Sequence, residues 1–157
     1  MKTKDITPCN EKGEPHGYWE DYYANGQLCS KGNYVNGNKH GYWEAYYDNG
    51  QLWYKGNYLH GKLHGYWESY YFNGQLWCKG NYVNGELHGY WEYYYYDNGQ
   101  LWSKGNYVHG NRHGYWEEYY WDNGQLWCKG NYINDNIHGY WEFYWDNGKL
   151  KEKIYYI

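Results

Sequence analysis

HGYWESYYFNGQLWCKGNYVNGEL, residues 64–87, decides the fold, because the chain repeats nearly the same phrase six times. The opening His-Gly-Tyr-Trp-Glu stands at His16, His40, His64, His88, His113 and His138, at spacings of 24, 24, 24, 25 and 25 residues. Self-similarity at a fixed period of this length marks a repeat array, in which each unit is one supersecondary element that buries its apolar side by stacking on its neighbours. Within the unit, two runs of Tyr, Trp, Leu and Val flank Asn73-Gly74. Asn-Gly between such runs is a hairpin signal, because both residues tolerate φ > 0. The density of glycine excludes helix.

A two-residue loop at Asn73-Gly74 sets Phe72 opposite Gln75, and counting outward sets Ser69 opposite Cys78 and Glu68 opposite Lys79. The same count pairs Glu20 with Lys31, Glu44 with Lys55 and Glu142 with Lys153. Opposite charges facing each other across two strands contribute from a few tenths to about 1 kcal/mol. Units four and five carry one more residue. Three-residue loops at Asp97-Asn98-Gly99 and Asp122-Asn123-Gly124 absorb it and keep Glu92 facing Lys104 and Glu117 facing Lys129. Period-two alternation then puts Tyr66, Glu68, Tyr70, Trp77, Lys79 and Asn81 on a wetter face. Trp67, Tyr71, Leu76, Gly80 and Tyr82 form the packed face, with Trp67 covering Gly80 across the hairpin. Linkers such as GNYVNGELHG keep successive strands adjacent and antiparallel. The expected fold is all-β: an elongated single-layer antiparallel sheet of tandem β-hairpin repeats, about 12 strands over residues 16–157. A degenerate half-repeat over residues 1–15 caps it, with Pro8 tolerable only at a sheet edge.

Composition narrows the function. The chain has 27 Tyr and 12 Trp against 2 Phe, so most of its apolar surface carries a polar tip, as suits half-wet faces and interfaces. The absence of a long aliphatic run and of an apolar leader predicts no transmembrane helix, no secretory signal and a cytoplasmic protein. A formal charge of −4 with interleaved Lys and Glu offers no basic footprint, which excludes nucleic acid as a partner and disfavours membrane lipid.

Candidate chemistry is sparse. Six of the eight histidines are the repeating loop His, and His60 and His109 stand where other units have the Asn of Asn36-Gly37, a position suited to φ > 0. A metal at His60/His64 or His109/His113 would lack the repeating Cys or carboxylate needed to complete a ligand set. Cys9, Cys29, Cys78 and Cys128 contain no CxxC; the last three lie about two repeats apart, on the order of 19 Å, where a disulfide needs Cα atoms within about 7 Å. Each repeating Glu faces a Lys and recurs identically, whereas catalysis needs one convergent constellation. No catalytic residue, cofactor or metal is expected.

The stretch KGNYVNGELHGYWEYYYYDNGQLWSKGNY, residues 79–107, resembles the MORN repeat, above all its Trp- and Tyr-rich second variety known in bacterial and large-DNA-virus proteins. The carriers are the pattern from Gly56-Asn57-Tyr58 to His64-Gly65 and the Tyr-Tyr-x-Asn-Gly-Gln-Leu that follows, and the resemblance runs from His16 to Ile157. It implies non-enzymatic scaffolding, dimerisation and, in some members, membrane-lipid attachment. Trp19, Trp43, Trp67, Trp91, Trp116 and Trp141 stand where the common MORN pattern has a second glycine, which weakens the lipid expectation.

A recognition surface is expected at Trp53, Trp77, Trp102 and Trp127, flanked by Tyr46, Tyr70, Tyr94 and Tyr119 on the wetter face, since exposed aromatic patches mark interaction sites. The alternative is that these rings only brace the sheet. In the last unit Lys151 replaces the Trp, Ile154 the Gly and Tyr155 the Asn, and with Tyr156 and Ile157 they make an edge suited to pairing with another chain. The expected function is a non-enzymatic scaffold for protein–protein interaction that forms a homodimer through its C-terminal repeat. An aromatic-ladder binder of carbohydrate or choline type, or a membrane-lipid module, is the alternative.

Overall fold

The computed structural model describes residues 5–157. Among these the chain forms twelve strands and no helix: β1 (Gly17–Tyr22), β2 (Leu28–Val35), β3 (Asn38–Tyr46), β4 (Leu52–Leu59), β5 (Lys62–Tyr70), β6 (Leu76–Val83), β7 (Glu86–Tyr94), β8 (Leu101–Val108), β9 (Asn111–Tyr119), β10 (Leu126–Ile133), β11 (Asn136–Tyr144) and β12 (Leu150–Tyr156). They follow one another in chain order in one open antiparallel sheet. The chain divides into two compact units. One runs up to Leu76 and adds Tyr82–Gly85; the other comprises Trp77–Asn81 and Glu86–Ile157.

Two kinds of turn alternate, and they correct the expected loops. The tight two-residue turns lie in the linkers, where both residues are left-handed: Asn36/Gly37 (φ 48° and 79°), His60/Gly61 (50° and 79°), His109/Gly110 (49° and 82°) and Asn134/Asp135 (50° and 66°). This is the geometry whose twist matches paired strands. At the Asp-Asn-Gly turns only the glycine is left-handed. There the Gly50 N–H donates to the Tyr47 carbonyl (2.9 Å), the Tyr47 N–H to the Gln51 carbonyl (2.8 Å), and the Gln51 N–H to Asn49 Oδ1 (3.0 Å). The Asn side chain thus folds its own loop, so the loop spans three residues instead of two. In units four and five it spans four, with Gly99 N–H reaching the Tyr95 carbonyl and Gly124 N–H the Tyr120 carbonyl.

The register survives because a bulge cancels the extra loop residue. Tyr46 faces Leu52, yet Ala45 faces Tyr54 and Glu44 faces Lys55, leaving Trp53 as the extra residue. Trp102 and Trp127 are bulged in the same way. A bulge of this kind re-aims one side chain and restores alternation beyond it.

The packed face is built from Trp and Tyr, but each indole covers the glycine of the strand before it, not the glycine across its own hairpin. Trp43 lies over Gly32, Trp67 over Gly56, Trp116 over Gly105 and Trp141 over Gly130. The cause is a break in the linker-side ladder. Lys31 faces Glu44 and Asn33 faces His40, so Gly41, Tyr42 and Trp43 together stand against Gly32. Gly41 takes φ 72° to make that bend. Where the ladder is interrupted the indole supplies the missing donor: Trp43 Nε1–H donates to the Asn33 carbonyl at 3.0 Å and Trp116 Nε1–H to the Asn106 carbonyl at 3.1 Å. Tyrosines wedge edge-on between successive indoles, Tyr34 between Trp19 and Trp43 in the first unit and Tyr132 between Trp116 and Trp141 in the second. Trp116, Cys128, Tyr132 and Trp141 form a buried cluster, with Tyr107, Phe143 and Tyr156 packed against it.

Ahead of β1, Ile6 exchanges two backbone hydrogen bonds with Glu20 (3.0 and 2.9 Å), and the Pro8 carbonyl accepts from His16 N–H (2.9 Å).

Candidate functional site

One face carries a charged row. The Cα register pairs Glu20 with Lys31, Glu44 with Lys55, Glu92 with Lys104, Glu117 with Lys129 and Glu142 with Lys153, as the sequence count requires. The ion contacts mostly run the other way, to the lysine of the preceding strand: Lys31–Glu44 at 2.8 Å, Lys55–Glu68 at 2.7 Å and Lys104–Glu117 at 2.9 Å. A tyrosine explains the choice. Two residues past each glutamate, Tyr46, Tyr70 and Tyr119 donate to the carboxylate and also present their ring faces to the same lysine, 5.9, 5.9 and 5.5 Å from centroid to ammonium. The lysine gains a carboxylate and a π face together. A second tyrosine, two residues before the glutamate, clamps the other oxygen, as Tyr42 does on Glu44 (3.0 Å).

These contacts set the charges. Burial pushes the Glu44 and Glu117 carboxyls up, but the hydrogen bonds from lysine and tyrosine outweigh it and hold both below the usual carboxylate range. On Glu142 the hydrogen bonds from Tyr144, Lys153 and Lys129 bring the value down to about 2. The partner lysines are held above their usual range, Lys31 chiefly by Glu44 and Lys104 by Tyr119 and Glu117. A carboxylate that titrates lower when folded contributes stability above its unfolded value and loses it as pH falls through the folded one; a lysine that titrates higher contributes below its unfolded value and loses it as pH rises. The contribution of the ladder is therefore expected to be flat between about pH 5 and pH 10 and to drop on acidification below that window. Urea midpoints measured from about pH 6 to pH 3 check this, and a midpoint that holds or rises contradicts it.

The expected aromatic surface splits between two faces. Tyr46, Tyr70, Tyr94 and Tyr119 are half-buried on the charged face, each with its hydroxyl donated to the ladder glutamate two residues before it. The bulge turns the tryptophan row to the opposite face. Trp53 touches Tyr47 and Tyr54, and Tyr54 stacks on the buried Trp67 at 4.7 Å. Trp102 touches Tyr93 and Tyr95 and shares a cleft with Trp116. Simple alternation misplaces this row because a one-residue bulge reverses which side a side chain takes. The row is nonetheless open to solvent, with Trp53, Trp77, Trp102 and Trp127 between 41% and 44% exposed.

Over strands β7 to β9 the second unit has a cleft of about 200 Å³ lined by Tyr93, Trp102, Ser103, Tyr107, Arg112, Trp116 and Glu118. Arg112 is tied down at its edge: its Nε lies 3.4 Å from Asp135 Oδ1, its Nη1 donates to Tyr132 at 2.9 Å, and its guanidinium sits 4.0 Å over the Tyr132 ring. Asp135 takes the place of the linker glycine, and its carboxylate also accepts from the Arg112 backbone N–H (2.8 Å). Sequence reasoning missed both residues. The signal was a single arginine, with Asn-Asp where the other linkers have Asn-Gly or His-Gly 23 residues later.

Among the described residues no group of three or more His, Cys, Asp or Glu is placed to hold a metal ion. His60 and His109 adopt the left-handed backbone expected of them, but their ring neighbours are His40 (5.6 Å) and His88 (5.8 Å), not His64 and His113. All four cysteines are free thiols, and burial pushes Cys128 up to about 12. On β12, Ile154 and Tyr155 are exposed while Tyr156 packs against the Trp141 cluster, and Ile157 just past the strand lies open. Among the described residues no helix is long and apolar enough to cross a membrane.

No curated protein matches the chain. A crystal structure of TarM aligns at 12% identity and a TM-score of 0.36, over 65% of this chain and 19% of its own. The chain therefore spans about a fifth of that structure, and so low a score carries no argument about this protein. The MORN repeat variant family, by contrast, matches at residues 15–36, 39–60, 63–84, 87–109, 112–134 and 137–157, each match holding a pair of strands joined by an Asp-Asn-Gly type turn. With six matches tiling nearly all of its length, this chain belongs to the MORN repeat variant family.

Proposed function

We propose that the protein is a non-catalytic scaffold that holds protein partners against its exposed tryptophans and pairs with a second copy of itself along β12. One observation carries the reading. Each unit needs only one indole to close its frame, the buried Trp43, Trp91, Trp116 and their equivalents, yet most units keep a second tryptophan that stands open to solvent. Exposed Trp is the residue type most often found at the energetic centre of an interface. The ladder glutamates are committed to lysine and tyrosine, which supports a non-catalytic role. β12 departs from the repeat with exposed Leu150, Ile154 and Tyr155 along its length, which supports self-pairing.

Two measurements test the proposal. Light scattering of the full chain and of a form ending at Lys149 is expected to give twice the monomer mass for the first and the monomer mass for the second. Monomer mass in both removes the self-pairing. Affinity capture with wild type and with Trp102→Ala and Trp127→Ala is expected to lose a specific partner from variants that still fold, and a partner retained by both removes the tryptophan row from recognition.

A further inference from the structure

The frame of the repeat is nearly invariant, so the positions that do vary stand out. The residue after each ladder glutamate is Asp21, Ala45, Ser69, Tyr93, Glu118 and Phe143 in turn, and Tyr93 and Glu118 lie in one cleft with the bulged Trp102. It is a carboxylate in units one and five, and in unit five it lines the aromatic cleft. Glu118 faces Ser103 on one side and Cys128 on the other. Among the described residues its carboxylate makes no hydrogen bond and no close ion pair, and the nearby Arg112, which acts on it only through its field, is held by Asp135 and Tyr132. The guanidinium charge is thereby matched by Asp135, and the charge left facing the cleft is that of Glu118.

The rest of the cleft is aromatic. Tyr93 and Trp102 meet at 6.1 Å and 71°, and Tyr107 and Trp116 at 5.2 Å and 89°. A hydrogen bond of 3.1 Å between the Tyr93 and Tyr107 hydroxyls fixes two of these walls to each other. Ring faces carry negative potential and attract a desolvated cation, most of all one too bulky and weakly hydrated to prefer water. We propose that this cleft binds a small quaternary ammonium cation of choline type, with the rings of Tyr93, Trp102 and Tyr107 around the methyl groups and the Glu118 carboxylate as counter-charge. The site shares Trp102 with the protein-binding row, but its other walls and its counter-charge belong to one unit and lie outside that row.

Burial raises the Glu118 carboxyl above its usual range, opposite in sign to the ladder glutamates, with Arg112 only partly offsetting it. A side chain kept at a cost to the empty fold makes sense where a ligand repays it. Binding of choline chloride is measured by saturation-transfer NMR at constant ionic strength, with neutral 3,3-dimethyl-1-butanol as the shape control. Saturable binding of choline is expected, at least tenfold tighter than the neutral isostere. Glu118→Gln is expected to weaken choline at least tenfold while raising the melting temperature, and Glu86→Gln, which removes the same charge outside the cleft, to leave binding within twofold. Absence of saturation, equal binding of the isostere, or unchanged affinity in Glu118→Gln overturns the site. Should that variant fail to fold, Trp102→Ala takes its place, and an affinity within twofold of wild type overturns the site equally. The Glu118→Gln outcomes leave partner capture untouched, since Glu118 lies outside the tryptophan row, and loss of capture in Trp127→Ala leaves the cleft untouched.

Discussion

Trp116→Ala is expected to destabilise the protein by about 4 kcal/mol, the range for emptying a buried indole site. Trp116 is 2% exposed, meets Tyr107 and Tyr132 edge-on, and gives its N–H to the Asn106 carbonyl at a break in the strand ladder. Truncation therefore opens a cavity, removes two aromatic pairs worth about 0.5–1.5 kcal/mol each, and strands a carbonyl at about 1–3 kcal/mol. These terms overlap and do not sum. Trp102→Ala on the neighbouring strand is the comparison, because that indole is 41% exposed and covers no strand glycine; about 1 kcal/mol is expected. Urea unfolding followed by far-UV circular dichroism measures both. Equal losses at Trp116 and Trp102 mean that the frame and the exposed row have been assigned to the wrong residues.

The repeat, the all-β class and the Glu-to-Lys register were legible because they depend on counting alone. Glu44 opposite Lys55 emerges from a two-residue loop with no bulge, and it emerges equally from a three-residue loop with one bulged residue. The count cannot separate the two, since the errors cancel at Lys55. They do not cancel between loop and bulge, which is where Trp53 and Trp102 sit, so the face of the tryptophan row was read wrongly while the residues beyond it were read correctly. A local signal existed. The Asp48-Asn49-Gly50-Gln51 turn carries an Asn that accepts from Gln51 N–H and stays at negative φ, whereas Val35-Asn36-Gly37-Asn38 has the bare two-residue form. Asn-Gly names a turn in both cases, and the residues around it choose the type.

The site was less legible for a different reason. Glu118 lies where the repeat varies, and a repeat is found by what stays the same. Attention to the Glu20 and Lys31 series brings out the charged row, in which every carboxylate is committed. It passes over positions that differ from unit to unit, the one after each ladder glutamate among them. Arg112 and Asp135 are likewise visible only as departures, and their meaning depends on two linkers lying side by side, which the backbone hydrogen bond from Asp135 N–H to the Arg112 carbonyl establishes. The same geometry shows why the indoles pair backward. The His-Gly pair of each unit supplies a left-handed glycine, such as Gly114 at φ 76°, that bulges β9 against β8 and carries Trp116 over Gly105.

Gly105→Ala tests that last step directly and is expected to destabilise by about 2–3 kcal/mol, a large effect for one methyl group. Gly105 has an ordinary strand backbone, so alanine there meets no strain, and restricting the unfolded chain even favours it by about 0.4–1 kcal/mol. The cost comes from the indole. A Cβ on Gly105 would fall within the Trp116 ring, against Cδ2, Cε2 and Cγ, far inside van der Waals contact. The ring can shift only by giving up its packing, since Tyr107 and Tyr132 flank it and its N–H is held by the Asn106 carbonyl. If that is the origin of the cost, removing the ring removes it. In Gly105→Ala/Trp116→Ala the new methyl group meets open space, so the double variant is expected to be no less stable than Trp116→Ala alone, a coupling of about 2 kcal/mol or more. Additive losses would place the cost of Gly105→Ala in the backbone and not in the indole, and would undo the account of why a glycine recurs beneath each buried tryptophan from Trp43 to Trp141.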